Sequence, residues 1–235
     1  MSNTNQDNEQ NNKNSDYKIE ILKGDETYEN EINFKIILIG DSFVGKTSLS
    51  YMITKEQFKT DASATVAFDI FDYKAKINDK IFNLKIWDTC GSEQFSSTTT
   101  SLYKNSSLAI IVYSIDNDKS FRNVSQWTNL LKSNSNPDII IFLVGNKCDL
   151  EDKRMVSKEE GQKFKEENNF GFFKETSAKD NLFVKDLFKE AIIQLYEQHK
   201  RYQSNEEEKK INFEKKGDNI EISENNIKKK KKKFC

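Results

Sequence analysis

The chain has 235 residues, of which 35% are hydrophobic and 32% charged, and its 37 Lys and Arg nearly balance its 38 Asp and Glu. This length suits one domain with its own core plus tails rather than two full domains. A single histidine, His199, and three widely spaced cysteines, Cys90, Cys148 and Cys235, exclude multi-histidine zinc sites and argue against a disulfide framework.

Charge is distributed unevenly along the chain. Residues 1–31 carry 3 Lys against 8 acidic residues, residues 32–199 carry 22 basic against 23 acidic residues, and residues 200–235 carry 12 against 7. The first stretch has little to bury, and its small apolar group around Ile21 is too isolated to found a core, so we expect it to be disordered. The expected organisation is this acidic extension, a folded domain over 32–199, and a flexible tail over 200–235.

From residue 32 onward, short apolar runs alternate with amphipathic stretches. Runs rich in β-branched and aromatic residues predict six strands, at 32–40, 72–77, 82–87, 108–115, 139–145 and 170–175. Apolar residues at helical spacing predict four helices, at 46–55, 119–133, 157–168 and 181–199. This alternation predicts an α/β fold with a six-stranded, mostly parallel sheet, helices on both faces, and ligands outside the carboxyl ends of the strands.

The first predicted strand leads into GDSFVGKT, which matches GxxxxGK[ST] and precedes a predicted helix. In this pattern the glycines let backbone N–H groups surround phosphates, Lys46 reaches the outer phosphates, and Thr47 offers a hydroxyl to Mg²⁺. The alternative is an ordinary glycine turn, but the position between strand and helix favours binding of a nucleoside triphosphate. The residues concerned are Gly40, Asp41, Ser42, Phe43, Val44, Gly45, Lys46, Thr47 and Ser48.

Two further motifs follow later strands. Asp88 and Gly91 stand at DxxG spacing after the third predicted strand, where Asp88 would hold a metal through water and the Gly91 N–H would face the terminal phosphate. After the fifth predicted strand comes Asn-Lys-Cys-Asp, whose last residue, Asp149, can accept from two N–H donors on guanine that adenine lacks. Each motif alone is a plain polar turn. After a phosphate-binding loop, the second motif favours guanine as the base.

The motifs GDSFVGKT, WDTCGSE, NKCD and ETSAK occur in this order at strand ends, and together they resemble those of a Ras-superfamily small GTPase. The segments FNLKIWDT and KSFRNVSQW are similar to the Rab family, over about 32–199. The resemblance implies binding of GTP or GDP with Mg²⁺. It implies that Phe58 stacks on the guanine and that Thr65 binds Mg²⁺ and the third phosphate. The residues that it assigns to the base are Asn146, Lys147, Asp149, Ser177, Ala178 and Lys179.

The resemblance also implies a conformational switch. Residues 58–70 and 88–103 would be ordered by the third phosphate and released on hydrolysis. An exchange factor, a GTPase-activating protein and effectors would bind these segments. Hydrolysis would depend on Lys46, on Thr65 and on the adjacent pair Gly91 and Ser92.

Ser92 and Phe43 depart from the family's pattern. Ser92 stands where the family usually has the glutamine that orients the attacking water, and a serine hydroxyl is too short for that role, which predicts slow intrinsic hydrolysis. Gln94 is a poor substitute, because a side chain two residues further on points elsewhere. Phe43 places a large ring in the phosphate-binding loop, where it either packs outward or obstructs an arginine finger from an activating protein.

The surface that the family uses to contact effectors is altered as well. Its usual aromatic triad is Ile70, Trp87 and Leu102 here, so one aromatic remains, and Ala67 replaces the glycine usual two residues after Thr65. Aliphatic side chains offer less rigid contact area, and alanine restricts the backbone. We therefore expect effectors of typical Rab proteins not to bind.

The end of the chain has two features of a membrane anchor. Lys228 to Lys233 form an unbroken basic run, which near an anionic leaflet contributes on the order of 1 kcal/mol per lysine. The terminal Cys235 resembles a Rab prenylation site, although C-a-a-X and paired cysteines are absent. Lipid plus basic run would place a cytoplasmic protein peripherally on the cytosolic face of an endomembrane or the plasma membrane. The alternatives are a solvated tail or a nuclear or nucleic-acid patch; nucleic acid is not an expected partner.

Three functions remain open at this point. The favoured one is a Rab-like switch in vesicle traffic, where the traffic follows from the resemblance alone. Ser92 favours a second, a GTP-binding docking platform that scarcely hydrolyses. The third is a soluble relative of the Ras superfamily, for which an unlipidated Cys235 would be the sign.

Overall fold

A computed structural model describes residues 17–22, 26–58, 65, 68–91 and 100–231 of the chain. The chain divides into two compact units, Met1–Leu195 and Tyr196–Cys235. Within the described residues, no helix is both long enough and apolar enough to cross a membrane.

A seven-stranded sheet forms the centre of the first unit. Its spatial order is β1-β3-β4-β2-β5-β6-β7, antiparallel between β1, β3 and β4 and parallel across the rest. The parallel portion places the carboxyl ends of its strands at one edge, where the predicted binding motifs follow. The strands are β1 (Ile19–Leu22), β2 (Ile32–Ile39), β3 (Phe68–Ile77), β4 (Lys80–Thr89), β5 (Leu108–Ser114), β6 (Ile140–Asn146) and β7 (Phe172–Thr176).

Helices cover the sheet, as the alternating pattern predicts, and every residue of β5 is buried between them. The predicted helix over 119–133 is two helices, because one helix ends just before Asn123 and the next begins just after it. A short 3₁₀ helix lies at Glu151–Lys153. The α-helices are α1 (Lys46–Lys55), α2 (Thr100–Tyr103), α3 (Asp118–Arg122), α4 (Val124–Asn134), α5 (Lys158–Glu167) and α6 (Val184–Lys231).

The predicted α/β fold is confirmed, but the count of six strands is wrong. The seventh, β1, lies in the extension that the sequence predicts to be disordered, and it pairs antiparallel with β3 from Ile19 opposite Ile77 to Leu22 opposite Lys74. A strand added to a sheet edge needs no core of its own, because it gains backbone hydrogen bonds that the edge already offers. Isolated apolar residues are therefore enough to form it.

Residues 26–31 are anchored to β3 as well. The ammonium of Lys74, 9% exposed, donates to Glu31 Oε1 at 2.9 Å and to the carbonyl oxygen of Glu26. Glu31 Oε1 also accepts from the Tyr28 N–H at 2.9 Å. The hydrogen bond from Lys74 lowers the pKa of Glu31. The expectation of disorder is thus wrong for 17–22 and 26–31; residues 1–16 and 23–25 lie outside the described residues.

The tail also differs from the prediction. Helix α6 continues to Lys231, whereas the sequence predicts a flexible tail from residue 200. Between 200 and 231 the chain has no proline and one glycine, and it is rich in Glu and Lys, which favour helix. The flexible-tail prediction is therefore wrong for the backbone as far as Lys231, and Cys235 lies outside the described residues.

Candidate nucleotide-binding site

The loop after β2 has the shape that the GxxxxGK[ST] pattern predicts. Gly45 caps the N-terminus of α1 at a φ of 100°, and a Cβ at this position would lie 2.2 Å from Asn146 Nδ2. Both the backbone angle and the close approach require glycine. The first N–H groups of α1 consequently face the concave side of the loop, where a helix N-terminus favours an anion.

Lys46 is the first residue of α1, extends its side chain back into this loop and is 5% exposed. Its Nζ donates to the carbonyl oxygens of Gly40 at 2.7 Å and Asp41 at 2.9 Å. These bonds hold a positive charge within the curve of the loop. The arrangement suits an anionic ligand with several oxygens, such as a polyphosphate.

Three oxygen-bearing side chains from separate segments meet beside the loop. Thr47 Oγ1 donates to Asp88 Oδ2 at 2.6 Å and lies 2.8 Å from Thr65 Oγ1. Asp88 is fully buried at the end of β4. Hydroxyl and carboxylate oxygens are ligands that Mg²⁺ prefers, so the residues present fit this metal.

Gly91 packs directly against the phosphate-binding loop. A Cβ on Gly91 would lie 2.0 Å from the Ser42 backbone nitrogen, so only glycine allows this contact. The end of β4 just before it is held by Thr89, whose Oγ1 donates to the carbonyl oxygen of Leu38 at 2.7 Å. The predicted DxxG motif therefore lies next to the predicted phosphate site.

Asn146 connects the three loops of the site. Its Nδ2 donates to the Val44 carbonyl oxygen at 2.9 Å, while its Oδ1 accepts from Thr176 Oγ1 at 3.2 Å and from the Ala178 N–H at 3.3 Å. The resemblance assigns Asn146 to the base. The structure shows in addition that it joins the phosphate-binding loop to the ends of β6 and β7.

Asp149 is oriented by residues of the ETSAK segment. Its Oδ1 accepts from Ser177 Oγ at 2.6 Å, and Lys179 Nζ lies 4.0 Å from Oδ2. Lys147 has a positive φ of 64°, and its Nζ lies 3.9 Å from Asp116 Oδ1. Two residues of NKCD thus contact the ETSAK segment directly, Asn146 at Ala178 and Asp149 at Ser177 and Lys179.

Arg154 supports this pocket by holding Glu175 of the ETSAK segment, and no motif in the sequence identifies Arg154 as part of the site. Its guanidinium donates to both carboxylate oxygens of Glu175, at 2.7 and 2.9 Å, and to Glu151. The hydrogen bond to Glu175 raises the pKa of Arg154. Nearby, burial raises the pKa of the Cys148 thiol, which makes it a poor nucleophile.

Several predicted site residues are not drawn into the cluster or lie outside the description. Phe43 is 67% exposed, Phe58 is 41% exposed, and Ser48 lies half-buried in α1. Ser92 lies outside the described residues, as do the parts of the predicted switch segments at 59–64, 66–67 and 92–99.

One position of the predicted effector surface is paired with a neighbouring aromatic ring. Ile70 is 47% exposed, and Leu102 packs against the core. Phe68, however, stacks on Trp87 with ring centroids 5.0 Å apart. Trp87 is still the one aromatic of the three predicted positions, and the neighbouring strands β3 and β4 place a second ring beside it, a pairing that spacing along the chain does not reveal.

The fold and the loop define a phosphate-binding α/β domain of the P-loop class. A sequence model described as the Ras family matches residues 35–197, and the chain belongs to this family. The chain is 40% identical over 158 residues to the Ras-related protein Rab-10 of Diplobatis ommata, covering 67% of this chain and 78% of that protein. It is 38% identical over 184 residues to the Ras-related protein RABA5e of Arabidopsis thaliana, covering 78% and 84%. It is thus a Rab-like member of the Ras superfamily.

Proposed function

We propose that this chain is a GTPase that binds GTP and GDP with Mg²⁺ and acts as a molecular switch. The observation that carries the proposal is the meeting of Thr47, Thr65 and Asp88 oxygens at 2.6 and 2.8 Å beside a phosphate-binding loop. An ordinary turn that binds no ligand gives no reason for oxygen-bearing side chains from three separate segments to converge. Together they make a cation site next to an anion site, as a metal-bound nucleotide requires.

Each part of the site has a role in this proposal. The backbone N–H groups of residues 40–48 hold the phosphates, and Lys46 offsets the charge on the outer ones. Thr47, Thr65 and Asp88 hold Mg²⁺, which when bound neutralises charge that develops during phosphoryl transfer. The Gly91 N–H faces the third phosphate. Positioning and charge stabilisation thus come from residues already close together.

Guanine selectivity rests on Asp149. Its carboxylate is oriented by Ser177 Oγ at 2.6 Å and its side chain is 9% exposed, so it presents a desolvated acceptor. Guanine supplies two N–H donors to such a group, and adenine would leave it unpaired. Phe58, Lys147 and Ala178 complete the base pocket in this proposal.

The test begins with protein purified in Mg²⁺, identification of its bound nucleotide, and competition of GTP against ATP. We expect bound guanine nucleotide, and a large loss of Mg²⁺-dependent affinity in Asp88→Asn. A chain that copurifies without nucleotide and gains no affinity for GTP from Mg²⁺ would overturn the proposal.

Hydrolysis is measured separately, as a single turnover of loaded GTP. Ser92 predicts a slow rate, and we expect Ser92→Gln to be about tenfold faster because a longer side chain can orient water. Ser92→Ala is the matched control and should equal the unaltered chain. Equal rates for all three would mean that another group positions the water. GTP retained over hours would instead favour the long-lived docking platform.

The cellular role in this proposal is regulation of membrane traffic. Its support is similarity to Rab proteins, together with the exposed Phe68 and Ile70 beside the partly buried Trp87. In this proposal effectors bind there and across residues 58–70 and 88–103. The lysine run and a lipid on Cys235 would hold the protein at a cytosolic membrane face. Mass spectrometry of the cellular protein tests the lipid, and an unmodified Cys235 would rule out this anchor.

A further inference from the structure

Helix α4 is hydrogen-bonded to the phosphate-binding loop through the side chain of Asp41. The Asn123 amide nitrogen Nδ2 donates to Asp41 Oδ2 at 2.7 Å, and the Trp127 indole Nε1–H donates to Asp41 Oδ1 at 2.9 Å. Both carboxylate oxygens are thus bound by groups more than 80 residues away in sequence. Hydrogen bonds to an ionised acceptor are stronger than those between neutral groups.

The two donors come from one face of the helix start. Asn123 is the residue at which α3 ends and α4 begins, and Trp127 follows one helical turn later. An asparagine at a helix start commonly caps it with its own side chain. Here no side-chain cap bond to α4 is made, and the side chain of Asn123 is directed to Asp41 instead.

Asp41 connects these donors to the lysine of the loop. Its backbone carbonyl oxygen accepts from Lys46 Nζ at 2.9 Å, so one residue contacts α4 with its side chain and Lys46 with its main chain. Trp127 is 1% exposed and packs in the core beneath the loop, which makes it a rigid support. A shift of α4 would therefore be transmitted to the loop that holds the phosphates.

We propose that Asn123 and Trp127 are positioning residues that hold the phosphate-binding loop in its nucleotide-binding shape through Asp41. This rests on the proposed function as a nucleotide-binding GTPase. Neither residue contacts the predicted nucleotide directly. Their effect is on how long the nucleotide stays bound, because a loop held in shape loses less freedom when it binds.

The experiment measures GDP dissociation from the full chain with a fluorescent GDP analogue in Mg²⁺. Trp127→Phe keeps an aromatic ring and removes the N–H, and we expect dissociation about tenfold to a hundredfold faster, as for loss of one charge-assisted hydrogen bond. Asn123→Ala and Asp41→Asn should give similar accelerations. In the double variant Asp41→Asn with Trp127→Phe, the effects should not multiply, because the first weakens and the second removes the same hydrogen bond.

The matched control is Thr128→Val. Thr128 is the next residue of α4, is 3% exposed, and donates to the Val124 carbonyl oxygen at 2.7 Å, so this change removes a buried hydrogen bond of the same helix without reaching the loop. Thr128→Val should lower thermal stability and leave GDP dissociation within about twofold. Faster release in the control as well would show general loosening and overturn the positioning role.

The contact itself has a spectroscopic signature. The Trp127 indole proton, assigned by its loss in Trp127→Phe, should move upfield in Asp41→Asn, because a neutral amide is a weaker acceptor than a carboxylate. Unchanged dissociation in Trp127→Phe, in a chain that binds GDP, would overturn this inference alone. A chain that binds no guanine nucleotide would overturn the proposed function and, with it, the role of these residues.

Discussion

Phe43 has a backbone conformation that bulky residues rarely adopt. Its φ is 65°, in the left-handed region, and its ring is 67% exposed. Burial of the ring therefore does little to offset the backbone strain. A β-branched residue fits this region worse, whereas asparagine tolerates it.

We expect Phe43→Val to lower the free energy of unfolding by about 1 kcal/mol, and Phe43→Asn to leave it equal or higher. Urea unfolding of the nucleotide-loaded protein measures both. Because the ring is exposed, the two variants differ mainly in backbone preference. Equal stabilities for Val and Asn would show that the positive φ carries no strain.

The pair of Arg154 and Glu175 provides a second test at single residues. The side chain of Arg154 is 20% exposed and that of Glu175 is 11% exposed, and two hydrogen bonds join them. Arg154→Ala leaves a carboxylate with little solvent behind the base pocket, so we expect a loss of about 2–3 kcal/mol in unfolding free energy.

Arg122→Ala is the control for that measurement. Arg122 is 68% exposed and pairs with Asp118 one turn away, so its removal should cost less than about 0.5 kcal/mol. If both arginines proved equally dispensable in calorimetry, the support that Arg154 gives to the pocket would be negligible.

The sequence predicts which residues gather at the site better than it predicts their individual contacts. Lys46, Thr47 and Asp88 lie together as expected because their motifs follow parallel strands whose ends share one edge. That Asn146 joins three loops could not be predicted, because its partners Val44 and Thr176 are distant along the chain. Side-chain pairings across the fold have no signature in spacing.

Among the elements, the strands buried on both faces were predictable and the edge strand was not. Strands β5 and β6 read as continuous apolar runs because both faces are covered. Half of the residues of strand β1 are exposed. The strand forms because β3 offers a free edge, and the residues of β1 themselves give no sign of that edge. The interruption at Asn123 is not predictable from the sequence either, because α3 and α4 share one continuous helical pattern.

The ion pair that anchors residues 26–31 makes stability depend on pH. The pKa of Glu31 is lowered, first by the hydrogen bond from Lys74, so the folded state favours the ionised carboxylate. Its stabilisation is fully present above the ordinary glutamate pKa of about 4.3 and is lost as pH falls through the lower folded value. Above that window, the pair supports the attachment of the extension to β3.

We therefore expect Glu31→Gln to lower the free energy of unfolding by about 1 kcal/mol at pH 7, with the difference from the unaltered chain shrinking below about pH 4. Unfolding curves from pH 7 to pH 3.5 measure this. Asp72→Asn is the control, since its pair with Lys85 has side chains 52% and 43% exposed. A Glu31→Gln deficit that is constant with pH would contradict the ionic account.

At the scale of the whole molecule, the segment that the Ras-family model matches is shorter than the segment that strand pairing and ion pairs hold together. The match begins at residue 35, but β1 and residues 26–31 contribute strand pairing and the partner of a buried lysine. The GTPase domain proposed over 32–199 would thus leave Lys74 without Glu31. The N-terminal boundary of the domain taken from the sequence therefore lies after the boundary that the stabilising contacts define.

A chain that begins at residue 32 should keep every proposed nucleotide-binding residue and yet be less stable than one that begins at residue 17, by about 2–4 kcal/mol. Thermal unfolding of both, loaded with the same nucleotide, measures the difference. Equal melting temperatures would show that the extension only rests on the sheet.

The attachment of β1 also bears on the order of folding. Ile19 pairs with Ile77, and the phosphate-binding loop and α1 lie between them in sequence, so this contact closes a long loop. Such contacts form late, because the chain loses the entropy of closing the loop before the contact contributes any stabilisation. Substitutions in β1 should then leave the refolding rate unchanged and raise the rate of unfolding. Strand β1 would be the last part of the sheet to assemble and the first to detach.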